Sequence, residues 1–259
     1  MNTPYKKIKI VDKKQETDIV SYFVFDKKIN AKPGQFIMLW LAGEDEKPFS
    51  VANANPLELA IAAIGPTTNN ICKLEKGAEL FYRGPYGKAY SLMGKKWLVV
   101  GGGYGFAPLR FLIKEGLKKN RNAKIDCVIG AKTKNLLMQE VKHKNIKTYY
   151  TTDDGSFGIK GNVLAAVEPL LEKNNYDCIY CCGPEKMMYQ IALLGEKKSI
   201  PTQISIERYY KCGFGLCGHC SVNGWLSCKD GPVIFGSDAL KLKDFGFYYK
   251  DKTGAKKQI

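Results

Sequence analysis

Four cysteines near the C-terminal end, Cys212, Cys217, Cys220 and Cys228, concentrate the chemistry of this sequence. The first three follow a C-x4-C-x2-C pattern and seven residues separate the third from the fourth. That is the spacing of a plant-type [2Fe–2S] loop, in which cysteine thiolates hold the irons. Gly213, Gly215 and Gly218 lie among them. These glycines reach backbone conformations closed to residues with a Cβ, so thiolates and amide N–H groups can converge on one centre. Asn223-Gly224 predicts a hairpin turn just before Cys228. Disulfides fit poorly, because nine cysteines is an odd number and no apolar secretory segment occupies Met1 to Val20. Zinc stays open, since C-x2-C is a common half-site, although zinc usually takes two well-separated pairs. With four cysteines present, His219 reads as a solvated loop residue. Electron transfer is the first expectation.

A second group of residues could hold phosphates. Gly101-Gly102-Gly103-Tyr104-Gly105 follows an apolar run and opens a helical pattern, the context in which backbone amides approach a pyrophosphate. It departs from the G-x-G-x-x-G register, because Ala107 falls one residue late. Gly65-Pro66-Thr67-Thr68 offers hydroxyls and amides at a loop, and Cys182-Gly183-Pro184 closes a strand and starts a helix. Taken alone, Lys47-Pro48-Phe49-Ser50 is an ordinary strand start before the apolar Val51. Asp153-Asp154-Gly155 reads as a turn and Glu207 as a structural ion pair, or these acids hydrogen-bond near a nicotinamide ribose or fix the cysteine loop. Cys72, Cys127, Cys178 and Cys181 read as small buried residues.

These candidates need elements to position them. Short β-branched and aromatic runs at residues 5–11, 19–25, 36–41, 57–64 and 79–82, punctuated by Lys32-Pro33-Gly34 and Gly84-Pro85-Tyr86-Gly87, predict an antiparallel barrel over residues 1–93. From residue 94 to 206 strands at 96–100, 125–129, 147–151, 177–181 and 202–206 alternate with helices at 107–119, near 135–142, 162–172 and 185–194. That alternation predicts a parallel α/β domain whose last strand is 202–206. Residues 207–236 then form a cluster subdomain and residues 237–259 a tail, polar over 250–259, giving a multidomain α+β chain.

The chain has 259 residues and a formal charge of +15, but only four arginines, Arg83, Arg110, Arg121 and Arg208, and its lysines are dispersed. Base readout favours clustered arginine forks, so the charge reads as a lysine-rich surface rather than a nucleic-acid site. No apolar run approaches the roughly 18 residues of a membrane span. The expectation is a cytoplasmic protein with neither nucleic acid nor membrane as partner.

The order of these pieces resembles the electron-transfer subunit of type B dihydroorotate dehydrogenase, within the ferredoxin–NADP reductase-like flavoproteins, over nearly the whole chain. The residues that carry the likeness are Thr152-Asp153-Asp154-Gly155-Ser156-Phe157-Gly158 with Lys160-Gly161, and Glu207 to Gly213 through Cys228 to Val233. The seven-residue gap before Cys228 and the trailing Lys243-Asp244-Phe245-Gly246 resemble its compact archaeal form. The resemblance implies that FAD is held by Lys47, Pro48, Phe49 and Ser50, by Gly65, Pro66, Thr67 and Thr68, and by Gly84. Here Lys and Phe replace the Arg and Tyr of the flavoreductase motif. It implies NAD(H) across Gly101, Gly102, Gly103 and Gly105 with Cys182, Gly183 and Pro184, and a [2Fe–2S] cluster on the four cysteines. It also implies an FMN-containing catalytic subunit as partner, in a two-plus-two heterotetramer, for dihydroorotate oxidation in pyrimidine biosynthesis. Hydride transfer needs alignment more than an acid or base, so no catalytic side chain is assigned. Related alternatives are the reductase subunit of a sulfhydrogenase or of an NADH-dependent ferredoxin–NADP oxidoreductase. An iron–sulfur sensor or nucleic-acid-binding module is the alternative outside redox enzymes.

Overall fold

Alternation of apolar and polar side chains builds the N-terminal sheet. In the computed structural model, which describes residues 5–259, Leu57, Leu59 and Ile61 of one strand all point into a core with Ile8, Ile10, Phe23 and Phe25. The strands are β1 (Lys6–Gln15), β2 (Val20–Phe25), β3 (Phe36–Trp40), β4 (Lys47–Ser50), β5 (Asn53–Ala54), β6 (Leu57–Ala62) and, after helix α1 (Pro66–Lys73), β7 (Glu79–Tyr86). They pair antiparallel in the order β4-β3-β7-β1-β2-β6-β5. The two edge strands, β4 and β5, are separated in sequence only by Val51 and Ala52, so the sheet has to roll until its edges meet. Residues 1–4 of the expected domain lie outside the described residues.

The central strands of the second sheet are buried on both faces, which is why residues 97–100 and 178–181 read as unbroken apolar runs. Its elements are β8 (Lys96–Gly102), α2 (Phe106–Lys119), β9 (Lys124–Ala131), β10 (Ile146–Thr152), β11 (Ile159–Lys160), α3 (Leu164–Lys173), β12 (Cys178–Cys182), α4 (Glu185–Lys197) and β13 (Thr202–Ser205). Trp97 and Val99 face α2, whereas Leu98 and Val100 face α3 and α4. Next come a small hairpin, β14 (Ser221–Val222) and β15 (Trp225–Leu226), then β16 (Val233–Phe235), α5 (Gly236–Ala239) and a terminal hairpin, β17 (Tyr248–Lys250) and β18 (Lys256–Gln258). The sheet order is β11-β10-β9-β8-β12-β13-β16, parallel except for β16.

Several expectations need correction. The segment 202–206 is not the last strand: β16 adds antiparallel to β13, so the cysteine region is an excursion between two neighbouring strands of the second sheet. No helix forms over 135–142, where only one 3-10 turn, Lys134–Leu136, appears. Its backbone is spent on the N-terminal unit instead: Gln139 N–H donates to Glu16 and Asn135 C=O accepts from Asp18. Gly65-Pro66-Thr67-Thr68 is the start of α1 rather than a loop, with Pro66 in its first turn and Thr68 Oγ1 accepting the N–H of Gly65 at 3.0 Å. The terminal stretch is a hairpin, not a plain polar tail.

One buried ion pair joins the two sheets. Arg110 on α2 donates through both terminal nitrogens to Glu16, just after β1, at 2.6 and 2.8 Å, and its guanidinium lies 4.9 Å from the Tyr22 ring. The Glu16 side chain is 3% exposed. Removing one partner of such a pair leaves a charge stranded out of water, typically worth about 3–5 kcal/mol. Glu16→Ala should therefore lower unfolding free energy by about that amount in urea denaturation, and a loss below about 1 kcal/mol would mean that the pair does not hold the sheets together.

Candidate functional site

The four cysteines come together on the rim of the N-terminal sheet. Cys220 and Cys228 are buried in a small apolar cluster with Phe36 and Met38 of β3 and with Tyr210. Tyr210 packs tilted against Phe36 with ring centres 4.7 Å apart, and its hydroxyl pairs with Ser227 at 2.6 Å. Gly213 has φ of +78°, and a Cβ there would meet Met38 Cγ at 2.9 Å. The loop therefore seats on β3 only because that residue is glycine.

The thiols stand as two pairs. Cys212 Sγ accepts the N–H groups of Leu216 at 3.3 Å and Cys217 at 3.5 Å. Cys220 Sγ accepts the N–H of Cys228 at 3.5 Å. Partial burial alone would raise the Cys212 thiol, but backbone N–H groups of Cys217, Phe214 and Leu216 outweigh it and bring it down to about 6. The bond from the Cys228 side chain, against the opposing effect of burial, brings Cys220 down to about 7, and Cys228 is raised in return. Among the described residues, no three His, Cys, Asp or Glu side chains surround a point fit for a single metal ion. Clustered thiols with amide donors supply the kind of ligands that an iron–sulfur centre takes.

His219 is not a solvated loop residue: its Nε2 meets the carbonyl of Asp251 at 2.7 Å and fastens the terminal hairpin to the cysteine loop. The stem of the loop is fixed by a second buried ion pair. Arg208 donates to both carboxylate oxygens of Glu185, at 2.7 Å to Oε1, and Glu185 also accepts the N–H of Gly246 at 2.7 Å. Their side chains are only 4% and 9% exposed. The expected ion pair thus belongs to Arg208 and Glu185, and Glu207 forms none among the described residues.

The residues expected to hold a flavin lie on this same rim. Lys47 to Ser50 are β4, paired with β3 so that Ser50 faces Phe36 and Pro48 faces Met38. They are therefore one strand spacing, about 4.8 Å, from the residues that pack on Cys220 and Cys228. Lys47 Nζ lies 5.4 Å from the ring of Tyr209, in the cysteine-loop stem. Gly84 (φ +115°) sits in β7 beside β3. Helix α1 is tied to the turn before β4 by Asn70, which donates to Glu44 at 2.6 Å. Its first turn carries no acidic residue, so its N–H groups are open to an anion.

The dinucleotide candidates form a separate ledge at the carboxyl ends of β8 and β12. A Cβ on Gly102 would strike Pro184 at 2.6 Å and Met187 at 2.7 Å, and one on Gly105 would strike Gly183 at 2.7 Å. Gly103 faces open space. Tyr104, Cys182 and Glu207 share the adjoining cleft. Nearby Glu207, then burial and Cys182, push the Tyr104 hydroxyl up to about 12, while burial and then Glu207 do the same to Cys182. The Glu207 side chain reaches water, yet the cleft walls withdraw enough solvent to raise its carboxyl against the pull of Arg208. Sequence reasoning missed Tyr104, Tyr209, Phe36 and Met38, because each reads as an ordinary aromatic or core residue until the loops are folded together.

Comparison with known proteins agrees with this layout. Residues 99–192 match a family described as an oxidoreductase NAD-binding domain, and residues 207–240 match the iron–sulfur cluster binding domain of dihydroorotate dehydrogenase B. The chain is 40% identical over 245 residues to a probable dihydroorotate dehydrogenase B (NAD(+)) electron transfer subunit of Methanocaldococcus jannaschii, covering 93% of this chain and 94% of that one. It is 37% identical to the protein of the same description from Pyrococcus furiosus, covering 93% and 94%. Among solved structures, a chain of the NADH-dependent reduced ferredoxin–NADP oxidoreductase superposes with a TM-score of 0.80 at 28% identity, covering 94% and 95%. A ferredoxin reductase of carbazole 1,9a-dioxygenase, at 20% identity with a TM-score of 0.64 over 78% and 68%, shares the fold alone. No helix among the described residues is long and apolar enough to cross a membrane.

Gly213→Ala tests the seating of the cysteine loop. The added methyl meets Met38 and the left-handed backbone is strained, so iron and acid-labile sulfide per chain should fall severalfold while the far-ultraviolet spectrum is kept. Undiminished iron would mean that the loop does not depend on its packing against β3.

Proposed function

We infer the role of the chain from its lineage and its geometry together: it belongs to the electron transfer subunits of dihydroorotate dehydrogenase B, and acts as the electron transfer subunit of an NAD-dependent enzyme of that kind. The observation that supports the relay most directly is the pairing of β4 with β3. One face of that two-strand ribbon packs on the cysteine loop, and its neighbouring strand is the candidate flavin motif.

The residues suit the groups they are proposed to hold. Cys212, Cys217, Cys220 and Cys228 would hold a [2Fe–2S] cluster, with Cys212 and Cys220 already inclined to the thiolate form by N–H and S–H donors. Lys47, Pro48, Phe49, Ser50 and Gly84 would hold FAD along the sheet rim, with its diphosphate at Gly65, Pro66, Thr67 and Thr68, where α1 presents unpaired N–H groups. Bound there, a flavin supplies the exchange between two-electron nicotinamide chemistry and one-electron iron–sulfur chemistry. Lys47 contributes positive charge without the bidentate fork of an arginine, and Phe49 contributes an apolar face without a hydroxyl. Gly101, Gly102, Gly103 and Gly105, with Cys182, Gly183 and Pro184, would carry NAD(H): the interlocked backbones leave no side chain between a pyrophosphate and the start of α2. Glu207 and Tyr104 border that ledge.

The partner in this reading is the catalytic subunit of the same dehydrogenase, carrying its own flavin, and two copies of each chain would make the assembly. The exposed part of the cysteine loop, with Leu216 78% and Phe214 44% exposed, is the surface proposed to meet it. The likeness to a chain of the NADH-dependent ferredoxin–NADP oxidoreductase fits a flavin-based electron relay fed by NADH, while the higher identity lies with the dihydroorotate dehydrogenase subunits.

An anaerobic NADH titration followed by absorption tests the relay. The purified chain should lose both flavin and iron–sulfur bands on adding NADH. Cys220→Ser should lose the iron–sulfur band while keeping a flavin band that NADH still bleaches. A wild-type preparation without flavin absorption, or one whose bands ignore NADH, would sink the reading. Copurification with an orotate-forming flavoprotein rather than with a hydrogenase or second flavin subunit decides the partner.

A further inference from the structure

The terminal hairpin belongs to neither of the large sheets, yet it is fastened beside the cysteines. At its turn the carbonyl of Asp251 meets His219 Nε2 at 2.7 Å, and a Cβ on Gly254 would lie 3.8 Å from the same ring. At its base Arg208, in the stem of the cysteine loop, donates to the carbonyl of Tyr248 at 3.4 Å. His219 stands two residues from the exposed Cys217, which follows Leu216 directly. The hairpin turn therefore borders the exposed part of the loop, and its side chains join that surface.

The charge of that surface is one-sided. Residues 243–259 carry five lysines and two aspartates, and both aspartates are spent inside the segment. Asp244 accepts Lys256 Nζ at 2.6 Å, and Asp251 accepts Thr253 N–H at 2.9 Å and Thr253 Oγ1 at 2.6 Å. Lys252 and Lys257 are exposed and have no hydrogen-bond or ion-pair partner among the described residues. The cysteine loop repeats the pattern. Lys211 and Lys229 are exposed and have no side-chain partner of that kind either, whereas Asp230 is taken up by the N–H of Leu226 at 3.0 Å and Glu46 by Arg83. Strongly hydrated lysines suit the rim of an interface and are depleted from its centre. Groups for a centre are present as well: Phe214 and Leu216 on the loop, Phe247 and Tyr249 on the hairpin, all exposed. Tyr249 lies opposite Lys257 in the hairpin register and has no ring or hydrogen-bond partner for its side chain among the described residues.

We propose that the terminal hairpin and the cysteine loop form one docking surface, apolar at its centre and lysine-rich at its rim, and that its occupant is a protein face with carboxylates around an apolar centre. On the relay reading, from which this proceeds, that face belongs to the catalytic subunit. A nucleic-acid backbone would satisfy the lysines but would leave Phe214, Leu216 and Phe247 uncovered. Unpaired rim charges speed the encounter with an oppositely charged face, and salt screens that gain. The hairpin lysines thus govern how fast the partner docks, and the aromatic groups govern how long it stays.

The test is surface plasmon resonance of the purified full chain against the purified catalytic subunit, at low and at high ionic strength. Lys252→Glu combined with Lys257→Glu should slow association at low salt by at least about tenfold, with the visible absorption bands of the chain unchanged, and the difference should shrink at high salt. Tyr249→Ser should speed dissociation severalfold while keeping the association rate. Lys144→Glu reverses an exposed lysine just before β10, toward the edge of the second sheet opposite β16, and should behave as the wild type. The proposal is overturned if the double variant associates at the wild-type rate, if Lys144→Glu slows association as much, or if wild-type association ignores salt. It is also overturned if Tyr249→Ser leaves dissociation unchanged or if a random-sequence DNA duplex displaces the catalytic subunit. Failure of the wild type to bind the catalytic subunit overturns it too, and the NADH titration then reports separately whether the relay within the chain survives.

Discussion

The buried pair of Arg208 with Glu185 is the joint on which the layout of the site depends. Arg208 stands at the stem of the cysteine loop, and Glu185 opens α4 directly after Cys182-Gly183-Pro184. Their contact fixes the distance between the glycine ledge at the ends of β8 and β12 and the cysteines, and Glu185 also holds Gly246 of the C-terminal segment. A pair this deeply buried adds little net stability over a well-packed apolar pair, but leaving either charge alone is strongly unfavourable. Its effect is geometrical: a stem carrying Arg208 has few other places to lie.

A similar constraint acts on the other side of the loop. The excursion that carries the cysteines leaves β13 and returns in β16, two neighbouring strands, so its ends are held close before any cluster is present. Between those ends, Tyr210, Cys220 and Cys228 pack against Phe36 and Met38. Segment 231–232 also docks on the N-terminal sheet, where Gly87 is so close that a Cβ would meet Pro232 at 2.6 Å. The glycines with left-handed backbone in the loop then settle the local path. The cysteines can therefore be arranged as pairs by the protein alone.

Much of this was legible in the sequence because it depends on local rules. The four cysteines, the hairpin at Asn223-Gly224 and the strand–turn–helix around Gly101 to Gly105 each follow from residues close together in the chain. What was not legible depends on partners far away. The segment after Lys134 has a helical pattern, yet it spends its backbone on Glu16 and Asp18 of the N-terminal unit, so tertiary contacts override propensity. Strand β16 is three residues long, too short for an alternating pattern to declare itself. His219 and Arg208 carry no local sign that one grips the terminal hairpin and the other the start of α4. The start of α1 was hidden for another reason, since Gly-Pro-Thr-Thr signals a turn and a helix start equally well.

The division of the site among three units explains why its interfaces are polar and buried at once. Apolar contacts alone would hold the sheets together but would tolerate sliding, because hydrophobic attraction is not directional. A bidentate arginine–carboxylate pair is directional: Glu16 with Arg110 sets the two sheets against one another, and Glu185 with Arg208 sets the cysteine stem against the glycine ledge. Each pair spans a boundary between two units. A relay whose stations sit on different units requires fixed separations more than it requires any catalytic side chain, and the sequence places most of its few arginines accordingly. Arg110 and Arg208 take these two joints, Arg83 pairs with Glu46 on the rim that faces Phe214, and the dispersed charge is left to lysine. On that argument the scarcity of arginine in so basic a chain reflects where rigidity is needed rather than a weak preference for nucleic acid.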